Sequence, residues 1–296
     1  MVERFVLAGP ASEELAKSLS SKLNLEVMKS SFKIFPDGES KFTSQDNVSG
    51  KSVVIVQSLY PPVDQHLFQL LLASHKLSQE GAKVTAVVPY LAYARQDKEF
   101  LPGEGVTLGV VAHLMRSAGI RRLVTVDIHS VEGFALFSFP IYSVSAVPTL
   151  AAYAKEKLPL ENAVVISPDF GASKRTEAFA ALYGARYLQL SKARDRKTGE
   201  VKVREQAVDV KDKNVVILDD IISTGGTVKV AAETVLAQGA TNAVAICTHG
   251  LFVDDAFQKL EKARIEKIIG TNTVPSRFGL VDISDALASH LKTLDE

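Results

Sequence analysis

Nine residues, DDIISTGGT at 219–227, follow the apolar run NVVIL (214–218) and precede the helical stretch VKVAAETVLAQGA (228–240). The two halves of this loop suit different chemistry. Gly225 and Gly226 let the backbone turn tightly, and the first N–H groups of the following helix have no partner within it. With a dipole charge of roughly +0.5 at this helix end, they make a cradle for phosphate. Asp219 and Asp220 oppose such a ligand. At an effective dielectric near 20, a carboxylate about 5 Å from a phosphate charge costs about 3 kcal/mol. The acids therefore face something else, and sugar hydroxyls and a divalent cation are the candidates.

The elements that must position this loop are legible as an alternation. Apolar runs SVVIVQS (52–58), KVTAVVPY (83–90), RLVTVDIHS (122–130), AVVISPD (163–169), NVVILDD (214–220) and NAVAICTHG (242–250) are separated by amphipathic segments such as 66–82 and 107–119. Alternation of this kind predicts α/β architecture with parallel sheets covered on both faces. A degenerate repeat runs through it. GKSVVIVQS, a loop, a helix ending QEGA and then KVTAVV parallel DKNVVILDD, a loop, a helix ending AQGA and then NAVAIC. The copies lie about 160 residues apart, which points to two related domains. The first copy has Gln57 and Ser58 where the second has Asp219 and Asp220, and its loop lacks the paired glycines.

Composition narrows the function classes. A chain of 296 residues exceeds the usual size of one core, and 46% hydrophobic content suffices for two. Thirty-four basic residues balance 34 acidic ones, so nothing draws the whole protein to nucleic acid or an anionic membrane. The lone Cys247 excludes an internal disulfide and fits a reducing, cytoplasmic setting. The start, MVERFVLAG, reads as a first strand rather than a signal peptide. Residues 133–154 carry no charge, but Pro140, Pro148 and several hydroxyls argue for a buried strand and a crossover between domains, not a membrane span.

Four further segments place polar residues where α/β sites form. FPDGES (35–40) is turn chemistry. In PYLAYARQDKEF (89–100), Arg95, Gln96 and Asp97 follow an apolar strand, the expected edge for a ligand. TVDIHS (125–130) and ISPDFG (166–171) do the same with His129 and Asp169, and LSKARDRKTGEVKVRE (190–205) reads as a basic β-hairpin. The histidines at 66, 75, 113, 249 and 290 have no supporting motif and are read as structural.

With DDIISTGGT, which phosphoribosyltransferases share, these segments resemble the ribose-phosphate pyrophosphokinases (phosphoribosyl pyrophosphate synthases) over essentially the whole chain. The resemblance implies two phosphoribosyltransferase-like domains. The first is 1–145, with 280–296 packing on it. The second is 146–279, carrying the sugar-phosphate loop. It implies transfer of the β,γ-diphosphoryl group of ATP to the C1 hydroxyl of ribose 5-phosphate, with Mg2+. Phe35, Asp37, Gly38, Glu39, Arg95 and Gln96 are implied ATP contacts, and His129 and Asp169 metal ligands, with Asp127 a further candidate. Lys192 and Arg194 are implied catalytic residues. Asp219, Asp220, Ser223, Thr224, Gly225, Gly226 and Thr227, with Arg194, are implied to hold ribose 5-phosphate. Relatives form homo-oligomers whose nucleotide sites cross subunits, and the PGEG segment (102–105) leans toward the archaeal branch. Two departures stand out: Ser223 replaces an Asp common in relatives, and Glu99 replaces a base. The competing readings are a phosphoribosyltransferase, which needs no ATP, and a catalytically silent regulatory relative. A transcription regulator is disfavoured by neutral charge and the lack of a spare basic segment.

Overall fold

The computed structural model describes residues 3–168, 173–190, 192–194, 201–203 and 208–294. The chain divides into two compact units: Met1–Ser145 with Thr273–Pro275 and Ile283–Glu296, and Ala146–Asn272 with Ser276–Asp282.

The first unit runs β1 (Arg4–Ala8), α1 (Glu13–Leu23), β2 (Glu26–Val27), β3 (Ser30–Ile34), β4 (Ser40–Ser44), β5 (Ser52–Val56), α2 (Val63–Gln79), β6 (Lys83–Val88), α3 (Thr107–Ser117), β7 (Ile120–Val126) and β8 (Ile141–Val144). A parallel sheet takes the order β2-β1-β5-β6-β7-β8, and β3 and β4 pair antiparallel apart from it. Parallel neighbours need crossovers, which α1, α2 and α3 provide. Helices on both faces explain why Val53, Val54, Ile55 and Val56 are all buried in an unbroken apolar run. α1 opens with Glu13 and Glu14 at the positive end of its dipole. It stops at Asn24, whose left-handed backbone (φ 52°) turns its N–H back to the Ser20 and Ser21 carbonyls.

The uncharged stretch 133–154 predicts a buried strand. β8 is instead the sheet edge and only partly buried, because an edge strand has a neighbour on one side alone. The chain then enters the second unit through α4 (Val147–Lys157).

That unit continues with β9 (Ala163–Ser167), α5 (Ser173–Tyr183), β10 (Arg186–Gln189), β11 (Lys192–Arg194), β12 (Val201–Val203), β13 (Asn214–Ile222), α6 (Gly226–Ala237), β14 (Asn242–Gly250), α7 (Ala256–Lys262), β15 (Ile265–Thr271) and β16 (Gly279–Val281). Its sheet order is β10-β9-β13-β14-β15-β16, with β11 and β12 paired antiparallel apart from it. The winding order is that of the first unit, and β5 and β13, the repeated runs, are each the third sheet strand. Val215, Ile217, Ala243, Ala245 and Cys247 pack against Val228, Ala231 and Val235 of α6 and Leu260 of α7.

The chain ends in α8 (Ser284–Thr293), which belongs to the first unit. Ser18 Oγ donates to Ser284 Oγ at 2.8 Å, and Lys22 pairs with Asp285 at 2.5 Å. An exposed pair contributes about 1 kcal/mol at most. Burial of Leu287 and Leu291 contributes about 2 kcal/mol each, so apolar packing holds α8 in place. Among the described residues no helix is long and apolar enough to cross a membrane.

Candidate functional site

In an open α/β sheet, ligands collect beyond the strand C-termini where the winding direction reverses. In the second unit that point lies between β9 and β13. The run NVVILDD (214–220) predicts a strand that finishes on Asp219 and Asp220. β13 instead continues to Ile222, because β14 runs alongside it to Gly250: Asp219 lies opposite Cys247 and Ile221 opposite His249. Asp219 and Asp220 thus stand near the C-terminal end of a buried strand. Both are buried, and each caps the next backbone N–H. Asp219 Oδ1 accepts from Asp220 N at 2.9 Å, and Asp220 Oδ1 accepts from Ile221 N at 2.9 Å. Asp220 Oδ2 meets Arg175 Nη1 of α5 at 3.1 Å. Burial, with Asp219 adding to it, pushes the Cys247 thiol far up and keeps it neutral. His249 is buried as well, in keeping with a structural role.

Beyond β13, Ser223 is half-buried and Thr224 exposed, and Gly225 caps α6. Gly225 holds φ +73°, and a Cβ there would lie 3.2 Å from Leu260 Cγ and 3.3 Å from the Ala256 carbonyl oxygen. Conformation and space both demand glycine. Its carbonyl accepts Lys229 N at 2.8 Å, which starts the helix. The Ser223 carbonyl accepts Val253 N at 3.1 Å and ties the loop to the turn after β14. Thr227 follows in the first turn. The result is a fixed helix mouth with polar side chains at its rim and two carboxylates on the strand behind it. Such a mouth binds an anion, and the acids bind hydroxyls or a cation. Lys192 and Arg194 stand on β11, in register with Val203 and Val201 of β12. Asp169 lies outside the described residues.

The first unit carries the other predicted residues on the β3–β4 hairpin and on the loops after β6 and β7. Phe35–Glu39 closes the β3–β4 hairpin: Phe35 N donates to the Glu39 carbonyl at 2.8 Å, and Gly38 N to the Phe35 carbonyl at 2.9 Å. Gly38 takes φ +92°, which the turn requires. Asp37 Oδ1 accepts Glu39 N at 3.2 Å. Phe32 and Phe42 face each other across the strands at 4.8 Å, stiffening the hairpin, and Lys33 Nζ sits 4.8 Å from the Phe35 ring centroid. Phe35 is half-exposed, and Asp37, Gly38 and Glu39 are exposed.

Arg95 and Gln96 occupy the loop after β6. Tyr93, at φ +65°, makes the turn: its carbonyl accepts Gln96 N at 2.8 Å, and the Gln96 carbonyl accepts Leu108 N of α3 at 3.1 Å. The Tyr93 hydroxyl donates to Asp64 in the first turn of α2. Asp97 Oδ2 accepts Ser130 Oγ at 2.5 Å, which brings the loops after β6 and β7 together. His129, exposed, precedes Ser130, and Asp127 is buried at φ +37°. The Glu132 carboxyl, 2.8 Å from Ser130 Oγ, is held below its ordinary range by its own backbone N–H and that hydroxyl.

The reversal point between β1 and β5 is occupied by the protein itself. Gln57 Oε1 accepts Ala11 N at 3.1 Å, and Gln57 Nε2 donates to the His66 carbonyl at 3.2 Å. Ser58 N donates to Ser12 Oγ at 2.9 Å, and Ser58 Oγ to the Thr273 carbonyl at 2.7 Å. A Cβ on Gly9 would stand 2.1 Å from Gln57 Oε1. Replacing the two carboxylates by Gln and Ser thus fills the first unit's crevice.

Sequence reasoning missed Arg175, Tyr93 and Asp64. Lys174-Arg175 at a helix start reads as solvated charge, and no local pattern links Tyr93 to Asp64, 29 positions away.

Comparisons with known proteins agree with this architecture. Residues 5–119 match the model of the N-terminal domain of ribose phosphate pyrophosphokinase, and 201–295 that of the phosphoribosyl synthetase-associated domain. Ribose-phosphate pyrophosphokinase of Sulfurisphaera tokodaii is 35% identical over 96% of this chain and 98% of its own length. That of Methanopyrus kandleri is 36% identical over 98% and 99%. The crystal structure of phosphoribosylpyrophosphate synthetase from Mycobacterium smegmatis superposes with a TM-score of 0.88 at 30% identity, covering 99% of both chains. Identity at this level, sustained from end to end, means that the chain belongs to the ribose-phosphate pyrophosphokinase family.

Proposed function

We propose that the protein transfers the β,γ-diphosphoryl group of ATP to the C1 hydroxyl of ribose 5-phosphate, giving 5-phosphoribosyl 1-diphosphate and AMP. The observation that carries this reading is the glycine-capped mouth of α6 directly behind two buried carboxylates on β13. The 5-phosphate sits at Ser223–Thr227, where backbone N–H groups and the helix dipole favour an anion. Asp219 and Asp220 receive the ribose hydroxyls, which removes the conflict between acids and phosphate by setting them at opposite ends of the sugar.

ATP occupies the first unit's loops. Phe35 stacks on the base, Asp37 and Glu39 accept its exocyclic amine, Gly38 supplies the turn, and Arg95 and Gln96 contact the nucleotide. Exposed polar groups on a stiffened hairpin and a locked loop support these roles.

His129 and Asp169 are the proposed protein ligands of Mg2+. The exposure of His129, beside a Ser130 that donates to the Asp97 carboxylate, supports this reading for the one ligand within the described residues. Sparse protein ligation suits a hard cation that keeps most of its shell in water and phosphate oxygens. When bound, Mg2+ supplies neutralisation of phosphate charge. Lys192 and Arg194 bring cationic donors to the transferring group, and Arg194 also contacts ribose 5-phosphate. Such transfer needs in-line positioning and charge stabilisation more than covalent help. Exposed Phe68 on α2 and Val110 and Leu114 on α3 support a homo-oligomer.

The test is incubation with ATP, Mg2+ and ribose 5-phosphate, following AMP and 5-phosphoribosyl 1-diphosphate by chromatography. Both products appear together and require ATP. Turnover of 5-phosphoribosyl 1-diphosphate with a free base and no ATP marks a phosphoribosyltransferase instead.

A further inference from the structure

Arg175 is the third residue of α5, and its partner is on a different element. A cation in a helix's first turn stands at the unfavourable end of the dipole. Arg175 is nevertheless largely covered, with its side chain 22% exposed, and its Nη1 lies 3.1 Å from Oδ2 of Asp220, a residue only 6% exposed. The other oxygen, Oδ1, accepts Ile221 N at 2.9 Å. One bond to each oxygen fixes the plane of a carboxylate. α5 is the helix that follows β9, and β9 is hydrogen-bonded to β13. The ion pair therefore spans the crevice at which the winding reverses, the place this architecture reserves for ligands.

A buried carboxylate with no counter-charge tends to take up a proton or rotate away. A guanidinium opposes both, because it stays charged and presents a rigid planar fork. Resting on the assignment of ribose 5-phosphate to the β13–α6 loop, we infer that Arg175 is a positioning residue for the pyrophosphokinase reaction: it holds Asp220 oriented for the sugar hydroxyls. It acts through Asp220, and its loss misaligns the sugar while leaving the nucleotide untouched.

The test compares the parent with Arg175→Ala and Arg175→Lys by steady-state kinetics against each substrate, and by calorimetric binding of ribose 5-phosphate alone. In Arg175→Ala, KM for ribose 5-phosphate rises about tenfold or more while KM for ATP stays within about twofold. Added guanidinium ion restores part of the activity of Arg175→Ala and none in Asp220→Asn. Arg175→Lys, which keeps the charge without the fork, falls between, and serves if the alanine variant does not fold. In the double variant with Asp220→Asn the losses are less than multiplicative, as expected for residues acting as one unit. An unchanged KM for ribose 5-phosphate in a folded variant, equal effects on both substrates, or fully multiplicative losses overturn the proposal. If the parent binds ribose 5-phosphate without turning it over, the functional reading fails while the calorimetric comparison still decides the role of Arg175. If the parent does not bind it, the proposal falls with that reading.

Discussion

The Tyr93 hydroxyl donates to the Asp64 carboxylate, joining the loop after β6 to the first turn of α2. Tyr93 needs such an anchor. An aromatic residue at φ +65° is strained, yet its carbonyl must sit there to accept Gln96 N and turn the chain toward Arg95 and Gln96. Asp64 thus acts on the loop that carries Arg95 and Gln96 without belonging to it.

Tyr93→Phe removes the anchor and keeps the ring. Stability falls by about 1 kcal/mol, the discounted value for a partly exposed hydrogen bond to a charged group. KM for ATP rises while KM for ribose 5-phosphate holds. The Asp64 hydrogen bond and partial burial push the Tyr93 phenol up to about 12. A raised folded value means the contribution is full below pH of about 10 and is lost as pH climbs through about 12. Difference titration of tyrosinate absorbance between parent and variant reads this directly.

Lys192→Ala lowers turnover by about a hundredfold, near 3 kcal/mol of barrier, by analogy with removal of one preorganised donor. Equilibrium binding of a non-hydrolysable ATP analogue changes little. Unaltered turnover removes Lys192 from the transition state.

Gly225→Ala forces a β-carbon into the left-handed region against Leu260 Cγ and the Ala256 carbonyl. It costs about 1–2 kcal/mol in thermal unfolding and weakens ribose 5-phosphate binding. Gly226→Ala is the comparison: its β-carbon meets only Thr224 Oγ1, at 3.9 Å, and stability there is nearly unchanged.

Gly9→Ala tests the filled crevice of the first unit. The added carbon collides with Gln57 and destabilises by about 1–3 kcal/mol, the usual cost of overpacking. Pairing it with Gln57→Ala recovers part of that loss in chemical denaturation, whereas independent sites give a simple sum.

Periodicity and turn chemistry made most of the fold legible. The apolar runs became parallel strands, and the GKSVVIVQS and DKNVVILDD repeat became the third strand of two sheets wound in one order. Composition hid what depends on neighbours. NVVILDD reads as a strand finishing at Asp220, yet the ladder to β14 carries it on to Ile222. Residues 141–144 look buried in sequence, but at the sheet edge they are only partly so. The glycine-capped mouth of α6 was legible because glycine and helix-start chemistry are local. Arg175 was not, because its meaning lies in an aspartate 45 positions away on another element.

Both units leave the sheet after the second strand for a short antiparallel excursion, β3–β4 in one and β11–β12 in the other, before rejoining at the third strand. The shared winding order therefore mounts two arms on equivalent sockets. Each arm can change length and chemistry without touching the ladder that holds its own unit together. Exchanging these arms between homologous enzymes, socket for socket, is a route to altering what is grasped while the framework stays as it is.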